Sequence, residues 1–192
     1  VALVHDSTGG PNGDEDYLLY HNGILVKTLD DATDLGTTTG DLHIGTNTAS
    51  SGAEDPYKGH MDEIRISSGV ARYSKSIERF ANTFVAKGDT GDAFTALQIQ
   101  SNGAKNGAGY SSVLNETGSL VVTVSGDPKW LTKDGDPFGG ANTALYFDGV
   151  GDSLSIAAGD FDIGDAYGHN TIEMWLRPHY NGTQTSPMIW GI

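Results

Sequence analysis

Asp62 and Glu63 stand side by side in the run MDEIRISSGVARY, residues 61–73. Paired carboxylates are the machinery of glycoside hydrolysis, which needs them about 5–9 Å apart across one bond, one with a raised pKa. The run alternates apolar and polar residues, so it reads as a strand, and neighbouring strand residues point to opposite faces. The adjacent pair therefore cannot flank one sugar. Asp62 and Glu173 lie on separate segments, and only the fold decides whether they meet. The Glu-x-Asp-x-x-Glu spacing on one strand face is absent, and EDPYKGHMDE has the wrong spacing. The six histidines are scattered, and none sits in a nucleophile motif. These patterns point away from an enzyme.

Two other residue sets carry chemistry. The run FDGVGD offers Asp148 and Asp152 around a glycine turn whose carbonyls are free to face inward. Calcium takes six to eight oxygens from carboxylates and carbonyls. The same two side chains can instead shape the turn by accepting backbone N–H groups, and both readings stand. The aromatic residues Tyr57, Trp130, Tyr167, Tyr180 and Trp190 fall in loops or at strand ends. Exposed rings stack on the apolar faces of sugars, which makes Tyr57, Trp130 and Tyr180 the carbohydrate-binding candidates. Packing in the core or at its rim is the alternative for each, and spacing does not choose between them. No glycine loop precedes a Lys-Ser/Thr step, so nothing cradles phosphate.

The elements that must position these residues are short. The chain has 192 residues, 37% hydrophobic, with 27 glycines. Low apolar content with many glycines suits short strands and tight turns. Strands are expected in VALVHD, GDLHIGTN, HMDEIRIS, FTALQIQ, GSLVVTVSG and on both sides of the FDGVGD turn. In NTIEMWLRPHY, Ile172, Met174 and Leu176 should face one way and Glu173, Trp175 and Arg177 the other. SPMIWGI begins a further strand. In DYLLYHNGILVKT, Asn22-Gly23 between apolar flanks predicts a hairpin, because both turn residues need positive φ. On HMDEIRIS, strict alternation sets Met61, Glu63 and Arg65 against Asp62, Ile64 and Ile66. SGVARY reads as a turn, and residues 84–93 as a polar linker. Arg65 and Arg72 are expected to pair with the surplus carboxylates, contributing about 0–1 kcal/mol each if exposed. The spacing of strands predicts an all-β, antiparallel β-sandwich with no substantial helix.

The formal net charge of −14 repels phosphate backbones, so nucleic acid is not an expected partner. There is no cysteine, which removes disulfides and thiolate chemistry. No apolar run approaches the roughly 18 residues of a membrane span.

YKGHMDEIRISSGVARYSKSIERF resembles the closing segment of laminin-G-like, concanavalin A-like lectin and glucanase jelly rolls. ALYFDGVGDSLSI with TIEMWLRP resembles their opening segment, and VALVHDSTGG with YLLYHNGIL their later hairpin. Closing strands (1–83) thus precede opening strands (94–192) across the linker 84–93. That order implies a window on a tandem array, holding parts of two sandwiches, or one permuted sandwich built from both halves. The resemblance implies that Asp62 lies beside the FDGVGD turn, so that Asp62, Asp148 and Asp152 hold a structural Ca2+. It also implies a non-catalytic part of a larger phage tail, fibre or decoration protein, or of a cell-surface protein. Its partners would be neighbouring copies, other virion proteins and host surface glycans. A purely architectural role without glycan is the alternative.

Overall fold

A computed structural model describes residues 1–8, 16–30, 40–46, 56–73, 94–99, 120–131, 144–157, 168–179 and 188–191. Among these residues every regular element is a strand. They are β1 (Ala2–Asp6), β2 (Asp16–His21), β3 (Ile24–Asp30), β4 (Leu42–Ile44), β5 (Lys58–Ser68) and β6 (Thr95–Ile99). Then come β7 (Val122–Ser125), β8 (Lys129–Leu131), β9 (Ala144–Asp148), β10 (Ser153–Ile156), β11 (Asn170–Pro178) and β12 (Trp190–Gly191). All strand pairs are antiparallel. The protein is all-β, as the sequence predicts. No described helix is long and apolar enough to cross a membrane.

The strands form two sheets. The larger runs β3-β2-β1-β11-β5-β9-β8, with β6 beside the far half of β5; the smaller runs β12-β4-β10-β7. Both halves of the chain enter both sheets. β1 pairs with β11, β5 with β6, β9 and β11, and β4 with β10 and β12. Neither half therefore has its neighbours without the other. The segment 84–93 lies outside the described residues.

The Asn22-Gly23 turn joins β2 to β3 with φ of 49° and 74°, the left-handed pair that matches strand twist. β5 departs from simple alternation. Asp62 faces Trp175 and Arg65 faces Glu173, so Glu63 and Ile64 share one opposing residue, and Glu63 takes a φ of 47°. This β-bulge reverses the side-chain parity. Met61 joins Ile64 and Ile66 in the core instead of sharing a face with Arg65, and Asp62 moves to the outer face. On β11, Ile172 and Met174 face the core and Glu173 the outer side, as alternation predicts.

One core joins the sheets. Leu42, Ile44, Leu154 and Ile156 of the small sheet meet Met61, Ile64, Ile66, Leu97, Leu145, Phe147 and Ile172 of the large one. β1, β2 and β3 contribute nothing to this core. Ala2, Val4, Leu18 and Tyr20 instead form a second cluster on the opposite face, covered by Ala71 and Tyr73 as the 69–73 turn folds back over the sheet. Gly59 fixes the crowded end of β5. At φ 143° a Cβ there would lie 2.8 Å from the Pro178 Cα and 2.9 Å from the Tyr57 hydroxyl, and closer still to the Arg177 carbonyl. Backbone cannot swing aside, so Gly59→Ala is expected to cost about 2–3 kcal/mol. That lowers the melting midpoint by roughly 5–10 °C in a thermal scan.

Candidate functional site

The acidic corner comes first. β9 belongs to the large sheet and β10 to the small one, so residues 149–152 carry the chain between layers. Asp152 anchors this crossing: its Oδ1 accepts the Asp127 N–H at 2.7 Å and its Oδ2 the Asp148 N–H at 2.8 Å. Asp148 Oδ1 accepts the Val150 N–H at 2.6 Å, and Asp127 Oδ2 sits 3.1 Å from Lys129 Nζ. Burial pushes the Asp152 carboxyl above its ordinary value, while the two backbone donors pull it back. Gly126, at φ 75°, passes so near Asp152 that a Cβ would strike its carboxylate and come within 2.7 Å of the Gly151 carbonyl.

Asp127, Asp148 and Asp152 each bring an oxygen within 4.8 Å of the others. Such a set suits a hard cation. Asp62 is not in it. Lys58 is the β5 partner of Asp148, and Asp62 lies four residues further on, about 13 Å away at strand rise. The bulge then turns Asp62 to the outer face, where its Oδ1 accepts the Glu63 N–H at 2.9 Å. Each carboxylate at the corner already has a structural partner, so the corner is expected to keep its shape without a cation. Melting midpoints in chelator and in millimolar calcium should agree within about a degree or two. A clear rise with calcium would assign a bound ion, because a ligand of the native form alone raises stability.

The second constellation lies on the outer face of the large sheet. Arg65 and Glu173, direct partners across β5 and β11, form a buried ion pair, and the Tyr73 hydroxyl donates to the other Glu173 oxygen. Tyr20 donates to the Tyr73 carbonyl at 3.2 Å, Arg72 N–H to Thr171 Oγ1 at 3.0 Å, and Arg72 Nε to Ser67 Oγ at 2.7 Å. The GVARY turn is thus a cover pinned over the pair. Burial raises the Glu173 carboxyl, opposed by Arg65 and Tyr73; burial and the Glu173 charge raise the Tyr73 hydroxyl. Arg65 is therefore a buried partner rather than an exposed one. Asp62 and Glu173 do share this face, but both are buried, so neither carboxylate reaches a sugar.

The aromatic candidates separate. Tyr57 and Trp130 are each 1% exposed and sit in the core, where neither can stack on a ligand. Tyr57 meets Phe147 edge-on at 6.1 Å and donates to the His60 carbonyl. Trp130 lies on a short strand, β8, which the sequence reading leaves as loop. Tyr180 and Tyr167 lie outside the described residues. Trp190 is half-buried at the edge of the small sheet. A ring group that the sequence does not single out lies on the outer face instead. His60 meets Tyr146 and His179 at 4.9 Å each, and Tyr146 meets His179 at 5.9 Å. Asp127 is likewise missed; its signal is its place in the Gly126-Asp127-Pro128 turn, which only the fold brings beside Asp152.

The last feature is apolar. Val1, Leu3, Leu19, Ile172, Met174, Leu176, Ile189 and Trp190 line a groove of about 140 Å³ between β12 and the inner face of β11, β1 and β2. It carries no convergent polar groups. Compared with protein-family models, curated proteins and solved structures, the chain matches none.

Proposed function

We propose that this chain is a non-catalytic structural module that acts through protein–protein contact within a larger extracellular or virion assembly, in keeping with its resemblance to laminin-G-like jelly rolls. One observation supports this reading above the others. On the inner face of β2 and β3, Leu19, Ile24 and Leu29 are 37%, 51% and 51% exposed, and Leu19 also lines the apolar groove. Contiguous exposed apolar surface marks interaction sites. The buried state of Glu173 and Asp62 adds support, since hydrolysis needs carboxylates that reach substrate.

The test uses a hydrophobic dye at submicromolar protein. Wild type is expected to enhance the fluorescence of an anilinonaphthalene sulfonate, and the double variant Leu19→Asp/Leu29→Asp to lose most of that signal. Equal fluorescence in both would overturn the reading. A second reading, glycan adhesion, has the His60–Tyr146–His179 group in its favour, since two of its rings are only half-buried. On that reading Tyr146→Ala lowers affinity on a glycan array at least tenfold. The architectural reading expects no such loss and no release of reducing sugar.

A further inference from the structure

One ring nitrogen stands between a donor and an acceptor. The β1–β11 ladder ends at the pair His5–Asn170, and the next residues across are Asp6 and His169. His169 Nδ1 lies 3.2 Å from the Ser7 backbone nitrogen, 3.4 Å from Asp6 Oδ1 and 3.5 Å from Ser7 Oγ. An imidazole nitrogen carries either a lone pair or a proton. With a lone pair, Nδ1 accepts the Ser7 N–H and stands lone pair to lone pair beside Asp6. With a proton, it donates to Asp6 and meets the Ser7 N–H head-on, so that this N–H loses its acceptor. No single state of the ring serves both neighbours, whereas the Ser7 hydroxyl can rotate to suit either.

We propose that His169 is a pH switch at the end of β1. Neutral, the ring ties down the Ser7 N–H; protonated, it closes on Asp6 and releases the peptide at Ser7. Imidazole is the side chain that ordinarily changes charge between about pH 5 and 8. The ring is 24% exposed, so protons reach it from solvent. The His169 carbonyl accepts the Gly69 N–H at 2.8 Å in either state, so the 69–73 turn keeps that tie and the change stays local. By alternation with Thr171 and Glu173 the ring lies on the outer face, so the inference stands apart from the contact reading of the inner one.

Among the described residues, the charges around the ring come from four elements. Asp6 of β1 is nearest, and its Oδ1 also accepts the Thr8 N–H at 3.2 Å. Register places Asp16 of β2 opposite Asp6 and Asp30 of β3 opposite Asp16, so three carboxylates run in a row away from the ring. The 69–73 turn brings Arg72, whose guanidinium reaches Ser67 Oγ and Thr95 Oγ1. On β11 itself, Glu173 is bound by Arg65 and Tyr73. A protonated His169 is therefore a cation at one end of a carboxylate row.

Amide hydrogen exchange read by NMR tests it, with protection taken relative to the unstructured rate at each pH. In wild type, protection of the Ser7 amide is expected to fall at least about fivefold from pH 8 to pH 5, the worth of one hydrogen bond. Amides of β9 and β10 should keep theirs. His169→Asn sets a side-chain oxygen where Nδ1 stood and does not titrate, so its Ser7 protection should be the same at both pH values. Wild-type protection that does not change with pH overturns the switch. So does a fall shared by β9 and β10, which belongs to the whole fold, or the same fall in His169→Asn, which belongs to another group.

Discussion

Arg65→Met is expected to destabilise the protein by about 3–5 kcal/mol at neutral pH, because it leaves Glu173 charged, buried and without its cation. The pair joins the neighbouring strands β5 and β11, so the loss falls at the centre of the large sheet. Tyr73→Phe removes one hydrogen bond to the same carboxylate and should cost less, about 1.5–3 kcal/mol. The double replacement Arg65→Met/Glu173→Leu removes both charges and should recover much of the loss, since buried pairs exchanged for apolar packing are often neutral. Burial raises the Glu173 carboxyl above its ordinary 4.5. A carboxyl raised in the fold binds its proton more tightly there than in the unfolded chain. The stability it contributes is complete below the unfolded value and is lost as pH rises through the folded one. Removing Arg65 raises it further. The cost of Arg65→Met should therefore shrink as pH falls toward 4.5, and denaturant melts at several pH values check the sign. A cost independent of pH would mean that Glu173 is not the group left exposed to the change.

The second large effect is on Trp130. As a carbohydrate platform its removal would abolish binding and leave the fold intact. As a core residue at 1% exposure, Trp130→Ala should cost about 3–5 kcal/mol by leaving a cavity among the buried side chains. Urea melts read this directly, as a lower midpoint with an unchanged slope. Near-native stability in Trp130→Ala would return the residue to the surface and reopen it as a ligand contact.

Much of the scaffold was legible because its signals are local. Asn22-Gly23 specifies its hairpin from two residues, and Ile172, Met174 and Leu176 declare a buried face by period alone. The bulge was not legible. A single left-handed residue at Glu63 reverses parity, and no local signal marks a glutamate for that conformation. Every assignment upstream of it on β5 changes face, which is why Met61 is core and Asp62 points outward, while register alone, with Lys58 opposite Asp148, sets Asp62 remote from the acidic corner. That corner was half legible: Asp148 and Asp152 are close in sequence, but Asp127 arrives from another strand pair. The outer-face pair was hidden for the same reason, since Arg65 and Glu173 meet only through register. Composition alone could not sort Tyr57 and Trp130 from exposed rings, because aromatic side chains serve cores and surfaces alike.

The central claim is that the exposed apolar side chains on the inner face of β2 and β3 are a contact surface. Titration of wild type and of the Leu19→Asp/Leu29→Asp variant with the hydrophobic dye tests it most directly. The account predicts strong fluorescence enhancement by wild type, lost for the most part in the variant, with melting midpoints that agree within about two degrees. Equal fluorescence from the two proteins would contradict it.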